Sequence, residues 1–316
     1  MDYSTQPPEY FIERLGTHNL GDVDRLHAIV YGKKAAPGYF KKKYDTAYTG
    51  VQYVGYLAYD GDREPLAFYA VIPCFLKYDE RLVLAAQSAD TMTNPNFRFK
   101  GLFVELSNLT FKLCRQEGIF IVFGFPNQNS YHGAVNKLSW QLTETLHYFS
   151  IPAARFSLEG LAAKHPLLTK LYKRYTARIL QKYLLPQNGI ANSLIAEGFA
   201  GVDRSEAYLA YKTYSPTMVI RLRKATVWCK INNGLTVGDI LLDTSDIDLV
   251  IAELKKLARK LGSKQIVFQA SPASRLYALL SVTHQPKPSF PVLFQNFDSG
   301  LDLDSIKFTF ADIDIF

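Results

Sequence analysis

Hydrophobic positions along the chain follow two periods, and each change of period marks an element. A short β-rich stretch over 9–15 precedes Asn19, Asp22 and apolar Val23, Leu26, Ile29 and Val30, the spacing of a capped helix. Pro37-Gly38 opens a second helical piece ending in Lys41-Lys42-Lys43. Three β-rich runs follow at 51–59, 65–77 and 81–90, parted by the turn-formers Asp60-Gly61-Asp62 and Tyr78-Asp79-Glu80, which predicts three consecutive antiparallel strands. Leu102, Leu106, Leu109 and Leu113 then mark one face of a helix that Gly118 stops. The unbroken apolar run 119–125 has the pattern of a strand covered on both faces, reached by a β-helix-β crossover. A turn at 126–130, a helix over 131–142 and a strand near 146–151 complete the order β, α, α, β, β, β, α, β, α, β.

Between 158 and 186 the composition changes: Lys164, Lys170, Lys173, Arg174, Arg178 and Lys182 face the single acid Glu159, and Leu167, Leu171, Tyr175 and Ile179 are four apart. This predicts a basic amphipathic helix. From Ser205 the element order repeats, with a helix through Tyr208 and Tyr214, strands over 218–231 and 235–242, a helix over 246–261, a strand at 265–270, a helix at 274–280 and a last strand at 291–297. The reading is of three segments: a domain over 1–155, a basic helical linker over 156–200 and a second domain over 201–316.

With 48% hydrophobic and 21% charged residues, the 316-residue chain has ample material for compact cores. Its longest apolar stretch, 66–76, is far short of a membrane span, and residues 1–8 are polar where a signal peptide needs a basic start and an apolar run. A cytoplasmic protein is the expectation. Cys74, Cys114 and Cys229 are widely separated in apolar surroundings and read as reduced core thiols, and the six histidines include no His-x-x-x-His pair, so no metal is expected. The net charge of +7 suits an acidic small ligand, an anionic polymer or a phospholipid surface.

The segment 87–103 carries the most chemistry. First-turn amides of a helix lack intrahelical acceptors, so Arg98, Lys100 and Gly101 just ahead of Leu102 and Leu106 read either as an anion cradle or as a merely solvated N-cap. The stretch Asp90-Thr91-Met92-Thr93-Asn94-Pro95-Asn96-Phe97-Arg98-Phe99-Lys100-Gly101-Leu102-Phe103 resembles the acetyl-CoA signature of the GNAT superfamily of N-acyltransferases. That motif runs Arg or Gln, two residues, Gly, one residue, Gly or Ala; here it is Arg98, Gly101 and, departing from it, Phe103.

The resemblance covers roughly residues 9–151; with the repeated element order it implies an α/β fold of two tandem GNAT-like domains, with mixed, mostly antiparallel sheets and flanking helices, the second a degenerate unit that shapes the acceptor site. It implies acyl-CoA, most simply acetyl-CoA, as co-substrate and an amine acceptor that attacks the thioester directly in a ternary complex; a nucleotide-linked amino sugar is one such acceptor. Thr91, Met92 and Thr93 would meet the pantetheine arm, the amides of Arg98, Phe99, Lys100, Gly101, Leu102 and Phe103 the pyrophosphate, and Asn127, Asn129 and Ser130 the CoA arm. Asp90 is the candidate base. The family's acid is a tyrosine in a pattern like Tyr-x-Lys-Leu-Gly-Phe; here Val135 stands in its place in Val135-Asn136-Lys137-Leu138-Ser139-Trp140. Tyr131, one turn earlier, takes the role, or thiolate departure needs no acid, or the domain binds without catalysing.

The second half lacks the cradle, since Asp243-Thr244-Ser245-Asp246 gives its helix an acidic start. Ala207-Tyr208-Leu209-Ala210-Tyr211-Lys212 and the closing Asp312-Ile313-Asp314-Ile315-Phe316 are loosely similar to Fem-type aminoacyl-tRNA transferases. An alternative is therefore a tRNA-dependent transferase with the basic helix as nucleic-acid contact; another is a non-catalytic acyl-CoA-binding scaffold. The basic helix reads as a solvated face, a contact for an anionic substrate or tRNA, or a peripheral attachment to acidic lipid.

Overall fold

The computed structural model of the chain describes residues 10–98 and 100–316. Glu9 and Phe99, which the sequence reading included, lie outside them. β1 (Tyr10–Arg14) leads to α1 (Leu20–Tyr31), which buries Val23 and Leu26 and ends at Gly32 in the left-handed conformation. Asn19 holds the N-cap position of α1, but its side chain turns back to Gly16 N and Arg14 O instead of capping. α2 (Tyr39–Tyr44) is followed by β2 (Val54–Asp60), β3 (Pro65–Tyr78) and β4 (Arg81–Thr93), then by α3 (Leu102–Gln116) and β5 (Ile121–Gly124).

α4 (Gln128–Leu138) starts three residues earlier and ends four earlier than the periodicity predicts. Asn127 caps it, its side-chain oxygen accepting from the amides of Asn129 and Ser130, and Ser139 ends it in the left-handed region at φ +55°. Residues 141–142, expected as helix, therefore open β6 (Gln141–Pro152). The basic segment is two helices, α5 (Leu158–Ala162) and α6 (Pro166–Leu180), because Pro166 fits only the first turn of a new helix. Then come α7 (Ser193–Ala196), β7 (Gly201–Val202), α8 (Glu206–Tyr211), β8 (Met218–Arg221), β9 (Ala225–Ile231), β10 (Leu235–Leu242), α9 (Ile247–Leu261), β11 (Gln265–Ala270), α10 (Arg275–Ser281) and β12 (Lys287–Asn296).

Contacts group the chain into two units. The first comprises the described chain up to Phe75, Val83–Leu142 and Val292–Leu301. Its strands run β1-β2-β3-β4-β5, antiparallel except for the β4–β5 pair, and Leu293–Asn296 of β12 add antiparallel to β5. Leu102, Leu106, Phe111 and Cys114 of α3 pack on Val54, Tyr69 and Ala86 of the sheet. The second unit comprises Leu76–Leu82, Thr143–Pro291 and Asp302–Phe316. Its strands run β8-β9-β10-β11-β6, with β10 and β11 parallel and α9 burying Val250, Leu254, Leu257 and Leu261 against them. The tip of the β3–β4 hairpin pairs with β7 in this unit. Each unit thus takes a strand that the order of elements would allot to the other: β6 pairs with β11, and the C-terminal half of β12 with β5.

Among the described residues no helix is long and apolar enough to cross a membrane, and no group of three or more His, Cys, Asp or Glu side chains is placed to hold a metal ion. All three cysteines are buried, and burial pushes the thiols of Cys114 and Cys229 up to about 12.

Candidate active site

The site builds from the end of the β4–β5 ladder. These strands pair only at Ala86 with Val122 and Gln87 with Phe123; β5 stops at Gly124, while residues 88–93 of β4 run on without a ladder partner on β5. A strand that leaves its parallel neighbour offers unpaired backbone groups to a gap. Gly124 keeps the gap's inner end tight, since a Cβ there would come within 3.3 Å of Ser88 Cβ and of the Trp140 ring. The side-chain amide of Gln87 and the indole N–H of Trp140 are buried without an acceptor among the described residues.

Asp90 sits at φ +49° in the strand. Ahead of it Ala85, Ala86, Gln87 and Ala89 are buried, and beyond it Met92. Met92 is a core residue, with Thr91 and Thr93 half-buried on either side. This left-handed residue is tied to α2: Asp90 Oδ2 accepts from Lys43 Nζ at 2.7 Å and Tyr44 OH at 2.8 Å, and the Lys43 side chain is fully buried. In sequence Lys43 only ends the second helical piece, and its role was not legible there.

Asn94 ends the strand by donating its amide to Leu66 O (2.8 Å), Pro95–Phe97 form a 3-10 turn, and Arg98 is extended and exposed. Lys100, also exposed, lies with Nζ 4.8 Å from the centre of the Phe97 ring. Gly101 is the N-cap of α3 at φ +83°, a conformation that glycine adopts without strain, and no side chain caps the helix. The first turn thus ends in Arg98, Lys100 and uncapped backbone. Its acid, Glu105, is turned to the hydroxyl of Tyr10 at 2.5 Å, a hydrogen bond that raises the Tyr10 pKa. Leu102 is buried in the core.

Phe103 packs edge-on against Tyr69, with ring centres 6.0 Å apart, and against Gly133 of α4, where a Cβ would come within 2.8 Å of the ring. The bulk that replaces a small residue in the motif is thereby housed between α3, β3 and α4, and Gly133 is the compensating position that the sequence reading missed. Asn129 is exposed, and the Ser130 hydroxyl turns to Asn127, whose side-chain oxygen serves as the α4 cap. Tyr131 and Val135 are half-buried against the core, and the Tyr131 hydroxyl has no hydrogen-bond partner among the described residues.

The second unit has the same strand–helix–strand frame with a different interior. Its α9 is capped by Asp246, whose carboxylate accepts from the amides of Asp248 and Leu249, so the helix start is acidic and satisfied. A bulge at Gly238 of β10 lets the ring of Phe316 in; a Cβ on Gly238 would lie 2.2 Å from it. Lys212 and Lys230 hold the final segment by donating to Ile313 O (2.9 Å) and Ile315 O (2.6 Å). Burial pulls the Lys230 amine down to about 8, against the opposing pull of Asp314. Beside β10 lie the C-terminal segment and Arg204, which pairs with Asp239 and Asp312.

No protein-family model matches the sequence, and no curated protein matches it. Solved structures do. A GCN5-related N-acetyltransferase from Kribbella flavida superposes with a TM-score of 0.58 at 16% identity, over 92% of this chain and 72% of that one. A conserved protein of unknown function from Enterococcus faecalis V583, described as a probable N-acyltransferase, gives 0.59 at 10% identity over 92% and 73%. A putative acetyltransferase from Pyrococcus horikoshii gives 0.55 at 13% identity over 98% and 96%. At such identities the likeness speaks for the architecture, and the chain has the mixed α/β fold of the GCN5-related N-acetyltransferases.

Proposed function

We propose that the protein is an N-acyltransferase that moves an acyl group, acetyl in the simplest case, from acyl-CoA to an amine. The observation that carries this reading is the uncapped, cation-flanked start of α3 at Gly101, set directly beyond a strand that has left its parallel neighbour. Such a helix start holds a pyrophosphate, and the unpaired edge of residues 91–93 suits the amides of a pantetheine arm. In the reaction the amine lone pair attacks the thioester carbonyl, the C–S bond breaks, the amine proton passes to a base and the departing thiolate takes a proton. Asp90 and Tyr131 are the groups on hand. With Lys43 and Tyr44 both on Oδ2, Asp90 also ties β4 to α2, so Asp90→Asn and Tyr131→Phe are to be compared by their separate effects on kcat and KM.

The test is thermal unfolding with acetyl-CoA, CoA and a longer acyl-CoA. At a hundredfold excess over Kd a ligand of the folded state adds about 2.7 kcal/mol, a rise of roughly 3–5 °C for a chain of this size. Absence of any shift with all three would overturn the reading, and binding of tRNA instead would favour a tRNA-dependent transferase. Arg98→Glu is expected to raise the Kd for CoA about thirty- to a hundredfold, about 2–3 kcal/mol, by removing a charge-assisted contact and adding repulsion. Asp243→Ala, whose side chain pairs with exposed Arg221 in the second unit, leaves that Kd unchanged. The acceptor is proposed to be a small amine, a nucleotide-linked amino sugar being the first to screen for thioester consumption.

A further inference from the structure

We infer that α5 and α6 form a docking surface for an anionic lipid bilayer, independently of the reaction proposed above. Pro166–Leu180 is a helix of regular spacing with its inner face fixed: Thr176 and Leu180 are buried, and Tyr172 and Tyr175 donate their hydroxyls to Leu261 O and Lys260 O at the end of α9. Its outer face carries large apolar side chains where solvent would favour polar ones. Leu167 is 66% exposed, Leu168 47% and Leu171 59%, and on the adjoining α5 segment Phe156 is 77% and Leu161 52% exposed. An unpartnered ridge of this kind on a fixed helix marks an interaction surface.

Charge says what covers it. Lys170, Arg174 and Arg178, four apart, run beside the Leu167–Leu171 row, with Lys164, Lys173 and Lys182 around it; all six are exposed, and none is in an ion pair with a described carboxylate. The one acid of the segment, Glu159, is turned away, its two oxygens accepting from the amides of Asn233 (2.8 Å) and Gly234 (3.0 Å). Leucine and phenylalanine bordered by lysine and arginine match the boundary between acyl chains and acidic headgroups, where apolar side chains enter and cationic stems reach back to phosphate. A nucleic acid would engage the cations and leave the leucines in water, so the apolar row favours lipid.

The experiment is co-sedimentation of the full chain with vesicles of phosphatidylcholine alone and of phosphatidylcholine with phosphatidylglycerol, at low and physiological salt, with tRNA as competitor. Partition onto the anionic vesicles is expected to exceed that onto the neutral ones by about tenfold or more, and to weaken with salt. Both Leu167→Asp with Leu171→Asp and Arg174→Glu with Arg178→Glu are expected to abolish most of it. These side chains already face solvent, so the variants keep the parent's melting temperature, which circular dichroism checks. Equal partition onto both vesicles, or none, overturns the inference. So does retention of binding by the leucine variant, or tRNA binding that the leucine variant leaves intact, either of which marks a surface for polyanions.

Discussion

Arg204→Ala is expected to destabilise the second unit by about 3–5 kcal/mol, enough to leave much of the protein unfolded at 37 °C. The Arg204 side chain is 1% exposed and lies among Asp239 (2.5 Å), Asp312 (2.8 Å) and the Thr309 hydroxyl (2.6 Å), with its guanidinium carbon 5.3 Å from the centre of the Trp228 ring. Burial alone would lower its pKa; Asp312 and Asp239 outweigh that and raise it above the ordinary arginine value. Alanine would leave two buried carboxylates without a counter-charge. Urea unfolding measures the loss, read as a lower midpoint at unchanged slope. Arg204→Lys is expected to rescue little, because one ammonium cannot meet the carboxylates and the hydroxyl as the guanidinium does. A loss below about 1 kcal/mol would mean that solvent enters this cluster.

A chain cut after residue 155 is expected not to fold. The composition shifts there, where the basic helices begin, but Val292–Leu301 belong to the first unit, and Val292, Leu293, Phe294 and Phe297 are almost wholly buried. At about 1.5–3 kcal/mol for each large apolar side chain, their removal costs about 6–12 kcal/mol, comparable to the whole stability of a typical domain. Phe297 alone packs against Phe111, with ring centres 5.5 Å apart, and under the Arg115 guanidinium at 4.4 Å. Without β12, β5 becomes an open edge whose backbone groups invite aggregation. Circular dichroism and heating decide the matter: a cooperative melt of the 1–155 piece would show that β12 is dispensable.

What the sequence made legible is what local pattern can carry. Helical spacing at Leu102, Leu106, Leu109 and Leu113, the apolar run around 119–125 and the turn residues between strands located the main elements of the first half, and the Arg98–Gly101 spacing located an uncapped helix start. Long-range placements were hidden. Arg204 is separated from Asp312 by 108 positions and from Asp239 by 35, so no periodicity ties them. Lys43 reads only as the last of three lysines that end a helical piece, yet burial of its stem beside Asp90 is decided by the packing of α2. The exchange of β6 and β12 was invisible for the same reason, since an apolar strand looks alike whichever sheet receives it. Phe103 read as a departure from the motif because Gly133, which makes room for it, lies on another helix.

The buried thiols have a consequence of another kind. A group with a pKa near 12 is about one part in 10⁵ thiolate at neutral pH, and only the thiolate reacts with alkylating reagents at a useful rate. Cys114 and Cys229 are therefore silent until the chain around them opens, and the pace of their modification is the pace of that opening. Because Cys114 lies in the first unit and Cys229 in the second, one labelling time course read by mass spectrometry provides two clocks, which tick together if the units open as one and apart if either yields first.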